Sequence, residues 1–130
     1  NVRDYSEKIN KKMRIGALLS VLSRKAEDGE IILVDKFTFS APKTSVAKTV
    51  LEKIAKSTGA TELVTKKKNA ALVALAGHNI NTVRSFNNFG NVMTEEVRSL
   101  NPVDVLTNKY LIIESPEAAF ATLIARTKSK

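Results

Sequence analysis

One run of consecutive apolar residues, Ile31–Val34, constrains the fold of this chain more than any other segment. A strand that is apolar at every position has no solvated face. Such a strand is typical of the centre of a parallel sheet that is covered by helices on both sides. Helix-like and strand-like segments alternate along the rest of the chain, so the sequence predicts an α/β protein.

Helices are predicted from capping residues and apolar periodicity. Their predicted starts are at or beside Asn10, Thr44, Asn69, Asn101 and Ser115. Asp28-Gly29 and Gly59 are expected to end the first two, because glycine readily adopts the left-handed conformation of a helix end. Three- and four-residue spacing predicts a buried stripe on the first helix at Met13, Ala17, Leu18, Val21 and Leu22. On the last helix the residues predicted to face inward are Ala119, Phe120, Leu123 and Ile124.

Further strands are predicted at residues 62–65, 82–85 and 110–113, and a helix is predicted through residues 69–76. Residues 86–99 are interpreted as less regular, because they are rich in turn-forming and polar residues. With right-handed crossovers, these elements predict a Rossmann-like three-layer sandwich around a small, mostly parallel four-stranded sheet.

Composition limits the functions that the chain can have. Its 130 residues suffice for one domain with its own core. It has no cysteine, which excludes disulfides, zinc–thiolate sites and thiol nucleophiles. No run approaches the roughly 20 apolar residues of a membrane span, so no membrane partner is expected. His78 is the only histidine and cannot alone form a catalytic triad or a metal site, so no metal or cofactor is expected.

The segment after the first predicted strand lacks the glycine that a phosphate-binding turn requires. No glycine lies between Val34 and Gly59, which argues against dinucleotide and P-loop binding. Asp35 follows the strand without a neighbouring carboxylate for a magnesium site, and we expect it to satisfy backbone groups of the loop. A Rossmann-like ligand-binding or enzymatic domain with Asp35 at the strand end is kept as the alternative function. The aromatic residues predicted to be core rather than a base-stacking platform are Phe37, Phe39, Tyr110 and Phe120.

The charge of the chain is unevenly distributed. It carries 21 Lys and Arg against 13 Asp and Glu, for a net charge of +8. Such an excess favours polyanionic partners, above all nucleic acid. The RNA-binding residues predicted from the basic clusters are Arg3, Lys8, Lys11, Lys12, Arg14, Arg24, Lys66, Lys67 and Lys68. For the three consecutive lysines, a solvated loop without a binding role stays an open alternative.

Three segments, taken in order, resemble the bacterial-type large-subunit ribosomal protein four family. The first is residues 6–13, Ser-Glu-Lys-Ile-Asn-Lys-Lys-Met, followed by Gly-Ala-Leu at residues 16–18. The second is Asp-Lys-Phe at residues 35–37 with Ala-Pro-Lys-Thr at residues 41–44. The third is Leu-Asn-Pro-Val-Asp-Val-Leu at residues 100–106 with Lys-Tyr-Leu-Ile-Ile at residues 109–113. The resemblance covers nearly the whole chain.

The resemblance implies a non-enzymatic, structural constituent of the large ribosomal subunit, in the cytoplasm or in an organelle. The implied partners are large-subunit ribosomal RNA and neighbouring ribosomal proteins, and the implied roles are subunit assembly and support of the peptide exit tunnel. A contact with the protein's own messenger leader is left open. Lys43, in the Ala-Pro-Lys-Thr motif, joins the predicted RNA contacts.

The resemblance also implies a division of the chain. Residues 1–12 would be the base of an extended RNA-binding arm, and residues 13–130 would be a single globular domain. The amino-terminal portion and the tip of the tunnel loop would be absent. Residues 86–99 depart from the family pattern as an insertion.

Overall fold

A four-stranded parallel sheet forms the centre of the molecule. The structure, a computed structural model, describes residues 11–128. Within them the strands lie in the order β1-β4-β2-β3, and every neighbouring pair is parallel. The strands are β1 (Ile31–Val34), β2 (Ala71–Leu75), β3 (Val92–Glu96) and β4 (Tyr110–Glu114). The Rossmann-like α/β class predicted from the sequence is confirmed.

Helices cover both faces of this sheet. They are α1 (Lys11–Glu27), α2 (Thr44–Thr58), α3 (Glu62–Thr65), α4 (Ile80–Asn87), α5 (Pro102–Thr107) and α6 (Pro116–Lys128), and a 3₁₀ turn spans Val97–Ser99. Buried residues of α2, α3 and α4 share one core with one face of the sheet. Buried residues of α1, α5 and α6 share a second core with the other face. The result is the predicted three-layer sandwich.

Strand β2 is buried along its whole length. Ala71, Val73 and Leu75 pack into the α2–α4 core, while Leu72 and Ala74 pack into the α1–α6 core. The strand pairs with β4 on one side and with β3 on the other. Its backbone groups are therefore bonded to neighbouring strands and its side chains lie between two layers of helices.

An aromatic cluster packs against one face of the sheet. The Phe86 ring lies edge-on to Phe37 and Phe39, with ring centroids 5.3 and 5.8 Å away. Phe86 is completely buried, and it contacts Phe89 at 6.2 Å between centroids. The cluster fixes the loop after β1 against α4. It confirms that Phe37 and Phe39 are core residues.

Three predicted helix ends, at Gly29, Gly59 and Asn101, are confirmed. Gly59 ends α2 with a φ of 75°, and Gly29 follows α1 with a φ of 69°, both in the left-handed region that favours glycine. Asn101 caps α5, and its Oδ1 accepts the backbone N–H of Val103 at 2.9 Å. The cap predicted at Asn10 lies outside the described residues. Helix α2 does begin at Thr44, but the capping position is Lys43, which makes no side-chain cap.

The middle of the chain differs from the prediction. The predicted strand at residues 62–65 is α3, the predicted helix at 69–76 contains β2, and the predicted strand at 82–85 lies within α4. Asn69 does not cap a helix but precedes β2 with a φ of 53°. The cap belongs to Asn79, whose Oδ1 accepts the N–H groups of Asn81 and Thr82 at 3.1 and 3.4 Å. Residues 86–99 are not irregular, because they contain β3 and the 3₁₀ turn.

Several side chains predicted to face inward are exposed instead. Phe120 is 43% exposed and Ile124 is also exposed, whereas Ala119 and Leu123 are buried as predicted. On α1 only Leu18 of the predicted stripe is fully buried, and Met13 is 61% exposed. Val21 and Leu22, which also belong to the predicted stripe, are partly buried and pack against the core. The first turns of α1 therefore extend beyond the core.

We predict that Phe86→Ala lowers the free energy of unfolding by about 3–5 kcal/mol, because it leaves a cavity among aromatic rings. Phe120→Ala removes the same atoms from an exposed position and should cost less than about 1 kcal/mol. Equilibrium urea denaturation measures both values. Similar losses for the two variants would contradict the assignment of Phe86 to the centre of the core.

Candidate nucleic-acid interface

The predicted basic residues of the first helix lie on its first turns. Lys11, Lys12 and Arg14 are all exposed, at the end of α1 that extends beyond the core. No carboxylate of the described residues forms an ion pair with Lys12 or Arg14. Arg3 and Lys8 lie outside the described residues.

Arg126, near the end of α6, joins this group although the sequence did not single it out. Its guanidinium donates to the carbonyl oxygens of Val97 at 3.2 Å and Leu100 at 3.3 Å. These bonds tie α6 to the 3₁₀ turn. A small cavity of about 200 Å³ is lined by Arg126 together with Lys11, Arg14 and Ile15. Two distant segments of the chain thus contribute cations to one place, which no local sequence pattern reports.

A larger cleft adjoins the small cavity. Its volume is about 610 Å³, and it shares Arg14 and Arg126 with the smaller one. Its other lining residues are Met13, Ala17, Ser99, Leu100, Asn101 and Pro102. This cleft accounts for the exposure of Met13 and Ala17, because their side of α1 faces the cleft rather than the core.

Arg24 lies at the opposite end of α1 from Lys11. Thirteen residues of helix separate the two by about 20 Å. The Arg24 Nε donates to Asp28 Oδ2 at 3.3 Å, one helical turn further along. Arg24 is therefore not part of the cluster at Lys11, and its charge is shared with an acidic neighbour.

Lys25, also in the basic first quarter of the chain, is only 7% exposed. Its ammonium group donates to the carbonyl oxygens of Asn108 and Lys109, each at 2.7 Å, and to Glu30 Oε1 at 3.2 Å. Glu30 also accepts from Lys109, and this hydrogen bond together with the charge of Glu62 raises the pKa of Lys109. Lys25 therefore joins α1 to the start of β4 and is unavailable to a ligand.

The two remaining predicted sites lie at opposite ends of α2. Lys43 precedes the helix and is exposed, and its backbone N–H donates to Ser85 Oγ at 3.0 Å. Lys66, Lys67 and Lys68 follow α3 in an exposed loop before β2. The 15 residues of α2 span about 22 Å, so these sites are separate from each other. The structure thus brings together only part of the predicted set, at the start of α1.

Glu95 in β3 interacts with both Asp104 and Arg126. Partial burial of Glu95 in β3, and then its hydrogen bond and charge interaction with Asp104 in α5, raise the pKa of Glu95 to about 7. The positive charge of Arg126 acts in the opposite direction. Among the described residues Glu95 Oε2 is buried without a hydrogen-bond partner, and such burial favours the protonated form of Glu95.

Glu114 and Asp35 both bond to groups of the loops at the carboxyl edge of the sheet. The carboxylate that satisfies the loop after β1 belongs to Glu114, which accepts the N–H of Phe37 at 3.1 Å, rather than to Asp35 as expected. Asp35 contributes its main-chain carbonyl, which accepts from the Ser115 hydroxyl at 2.9 Å. His78 is exposed in the loop after β2.

Residues 11–128 contain no group of three or more His, Cys, Asp or Glu side chains that could hold a metal ion. None of the helices in this part of the chain is long and apolar enough to cross a membrane.

Comparison with known proteins identifies similar sequences. A family model described as the ribosomal protein L4/L1 family matches residues 1–126. The large ribosomal subunit protein uL4 of Symbiobacterium thermophilum is 32% identical over 117 residues, which cover 90% of this chain and 51% of that protein. The corresponding proteins of Mycoplasma capricolum and Solibacter usitatus are each 34% identical, covering 91% and 95% of this chain and 51% and 55% of theirs. The chain thus spans about half the length of these relatives.

We predict that the stability of the protein falls as the pH rises from 5 to 8, and that Glu95→Gln removes part of this fall. The folded-state pKa of Glu95 is raised from 4.5 to about 7. Its contribution to stability is therefore fully present below the unfolded-state pKa and is lost as the pH rises through about 7. Because Glu95 is partly solvated, we expect a loss on the order of 1 kcal/mol.

Urea midpoints at pH 5 and pH 8 measure this loss. Glu52→Gln, on the exposed surface of α2, is the matched control and should keep the whole pH dependence of the unmodified protein. An equal fall in stability for Glu95→Gln and Glu52→Gln would contradict the role of Glu95.

Proposed function

The chain belongs to the ribosomal protein L4/L1 family, and from this premise we propose that it is a structural, non-enzymatic component of the large ribosomal subunit. Its partner in this proposal is large-subunit ribosomal RNA, bound on the surface formed by Lys11, Lys12, Arg14 and Arg126, which we call the α1 surface. One observation carries the proposal: Lys11, Lys12 and Arg14 are exposed on the first turns of α1, and Arg126 of α6 lines one cavity together with Lys11 and Arg14.

The α1 surface suits phosphate better than Arg24, Lys25 and Lys109 do. Lys25 and Lys109 are both bonded to Glu30, and Arg24 is paired with Asp28. By contrast, Arg14 and Lys12 have no acidic partner among the described residues. Each phosphate that pairs with a lysine or arginine releases condensed counterions, so exposed and unneutralised cations provide most of the affinity for RNA.

The remaining predicted contacts extend this interface. Arg3 and Lys8 precede the α1 surface in sequence, and we propose that residues 1–12 form the base of an RNA-binding arm continuous with it. Arg24, Lys43 and the lysines at 66–68 are secondary contacts in this proposal. Arg24 lies near the end of α1, and the other two sites lie at opposite ends of α2. Each would therefore contact a different part of a large RNA.

The wider setting follows from the family. The relatives are named as proteins of the large ribosomal subunit, and we propose that this chain works in the ribosome of the cytoplasm or of an organelle. There it would contact neighbouring ribosomal proteins, assist subunit assembly and support the peptide exit tunnel. Binding to its own messenger leader would use the same cations.

We predict that replacing Lys11, Lys12 and Arg14 together by alanine flattens the salt dependence of RNA binding. Loss of three phosphate contacts should reduce the slope of log affinity against log salt by up to about 2.7. The measurement is filter binding to the large-subunit ribosomal RNA of Symbiobacterium thermophilum over a range of salt concentrations.

The matched control replaces Lys48, Lys53 and Lys56 on the exposed surface of α2. This variant has the same net charge as the first but keeps the α1 surface, so its slope should change much less. Equal slopes for the two variants would show that net charge alone drives binding and would contradict the assignment to α1.

A further inference from the structure

The two adjoining cavities at the α1 surface differ in chemical character. The small one, of about 200 Å³, has three cationic side chains, from Lys11, Arg14 and Arg126. The large one, of about 610 Å³, has walls formed mostly by the apolar residues Met13, Ala17, Leu100 and Pro102. Arg14 and Arg126 line both cavities and so lie where they meet. A ligand that fills both must have an anionic part beside a flat or apolar part.

Polar groups in the large cavity are few but suited to hydrogen bonding. Ser99 contributes a hydroxyl, which can donate and accept. Asn101 uses its side-chain oxygen to cap α5, which leaves its amide nitrogen as a donor. An apolar cleft of several hundred Å³ with a few polar groups is typical of a site for a small organic group.

We propose that this two-part cleft binds a single unstacked nucleotide of RNA, with its base in the large cavity and its phosphate against the cations of the small one. The inference rests on the proposed function and deepens it, because it names the RNA feature that is bound. A paired duplex presents only phosphates and grooves, and its bases could not reach the apolar wall. Unpaired bases, in contrast, are commonly bound in RNA by stacking and by contacts with their edges.

The exposed apolar residues are the strongest argument for a base rather than phosphate alone. Met13 is 61% exposed on a helix whose neighbouring side chains are lysines and arginine. Ala17 and Pro102 line the same cleft, and an apolar wall suits the face of a base better than it suits a phosphate. Glu95 is an acidic residue whose charge interacts with Arg126. Since the charge of Glu95 changes near neutral pH, binding should be compared at one fixed pH.

The test fills the large cavity without removing a cation. Ala17→Trp places an indole in the cleft, whereas Ser20→Trp places the same group on an exposed position of α1 that does not line it. With the large-subunit ribosomal RNA of Symbiobacterium thermophilum as the probe, Ala17→Trp should weaken binding about tenfold. Its salt slope should equal that of the unmodified protein, because every phosphate contact is kept. Ser20→Trp should bind as the unmodified protein does.

Chemical probing of the RNA identifies the base. One unpaired base should be protected from dimethyl sulfate by the unmodified protein and by Ser20→Trp, and it should stay reactive with Ala17→Trp. If Ala17→Trp does not fold, Met13→Ala serves instead, with Met93→Ala on exposed β3 as its control. Met13→Ala should weaken binding at least threefold at an unchanged salt slope, and Met93→Ala should not.

Failure of the inference can be told apart from failure of the proposed function. If the unmodified protein does not bind the RNA at all, both fail. If it binds with a steep salt dependence but Ala17→Trp binds equally well, only the nucleotide site is overturned. If Ala17→Trp keeps its affinity for the RNA but no longer associates with whole large subunits, the nucleotide site is also overturned, because the cleft would then hold a protein segment.

Discussion

The complete burial of β2 is the constraint on which the rest of the structure depends. Each of its residues packs into one of the two cores, and both of its edges are paired with other strands. Backbone groups in such a place must be bonded within a sheet, and the side chains must be apolar and covered. The helices on both faces meet this demand. Charged side chains therefore lie mainly on the outer surfaces of helices and in the loops, with Lys25 and Glu114 as buried exceptions.

This arrangement explains why the proposed RNA-binding surface lies where it does. The strands supply no charged side chains to the interior except near their ends, as Glu95 and Glu114 show. The first turns of α1 extend past the core, so their cations can be exposed without disturbing packing. Arg126 reaches the same place because its bonds to the 3₁₀ turn hold the end of α6 there. Fold and binding surface are therefore linked through the position of α1 and α6.

The sequence identifies β1 and α5 but does not place β1 correctly, because this strand lies at an edge of the sheet with Leu33 53% exposed, rather than at the centre as expected. Ile31–Val34 is rich in β-branched residues and follows a glycine turn, which predicts a strand. Asn101-Pro102 predicts the start of α5. Strand β2 was not readable, because Ala71, Leu72, Ala74 and Leu75 favour helices locally and a strand buried on both faces shows no period of two. Because the local pattern at β2 predicts a helix, it also leads to wrong predictions of strands on either side, at residues 62–65 and 82–85.

The same limit applies to the candidate site. The sequence identified the basic run of α1, but it could not separate Lys25 from its neighbours. Lys25 is buried by contacts with Asn108 and Lys109, more than eighty residues away. The sequence could not identify Arg126 either, because it shares a cavity with Lys11 and Arg14 from the other end of the described chain. The role of a residue that depends on long-range contacts can be identified only in the three-dimensional structure, whereas an exposed basic run can be identified from the sequence.

Photo-crosslinking of the protein to large-subunit ribosomal RNA, followed by mass spectrometry of the linked peptides, measures directly whether the α1 surface contacts the RNA. We expect crosslinks concentrated in the first turns of α1 and around Arg126. Crosslinks confined to the exposed surface of α2, or to the loop at residues 66–68, would contradict this expectation.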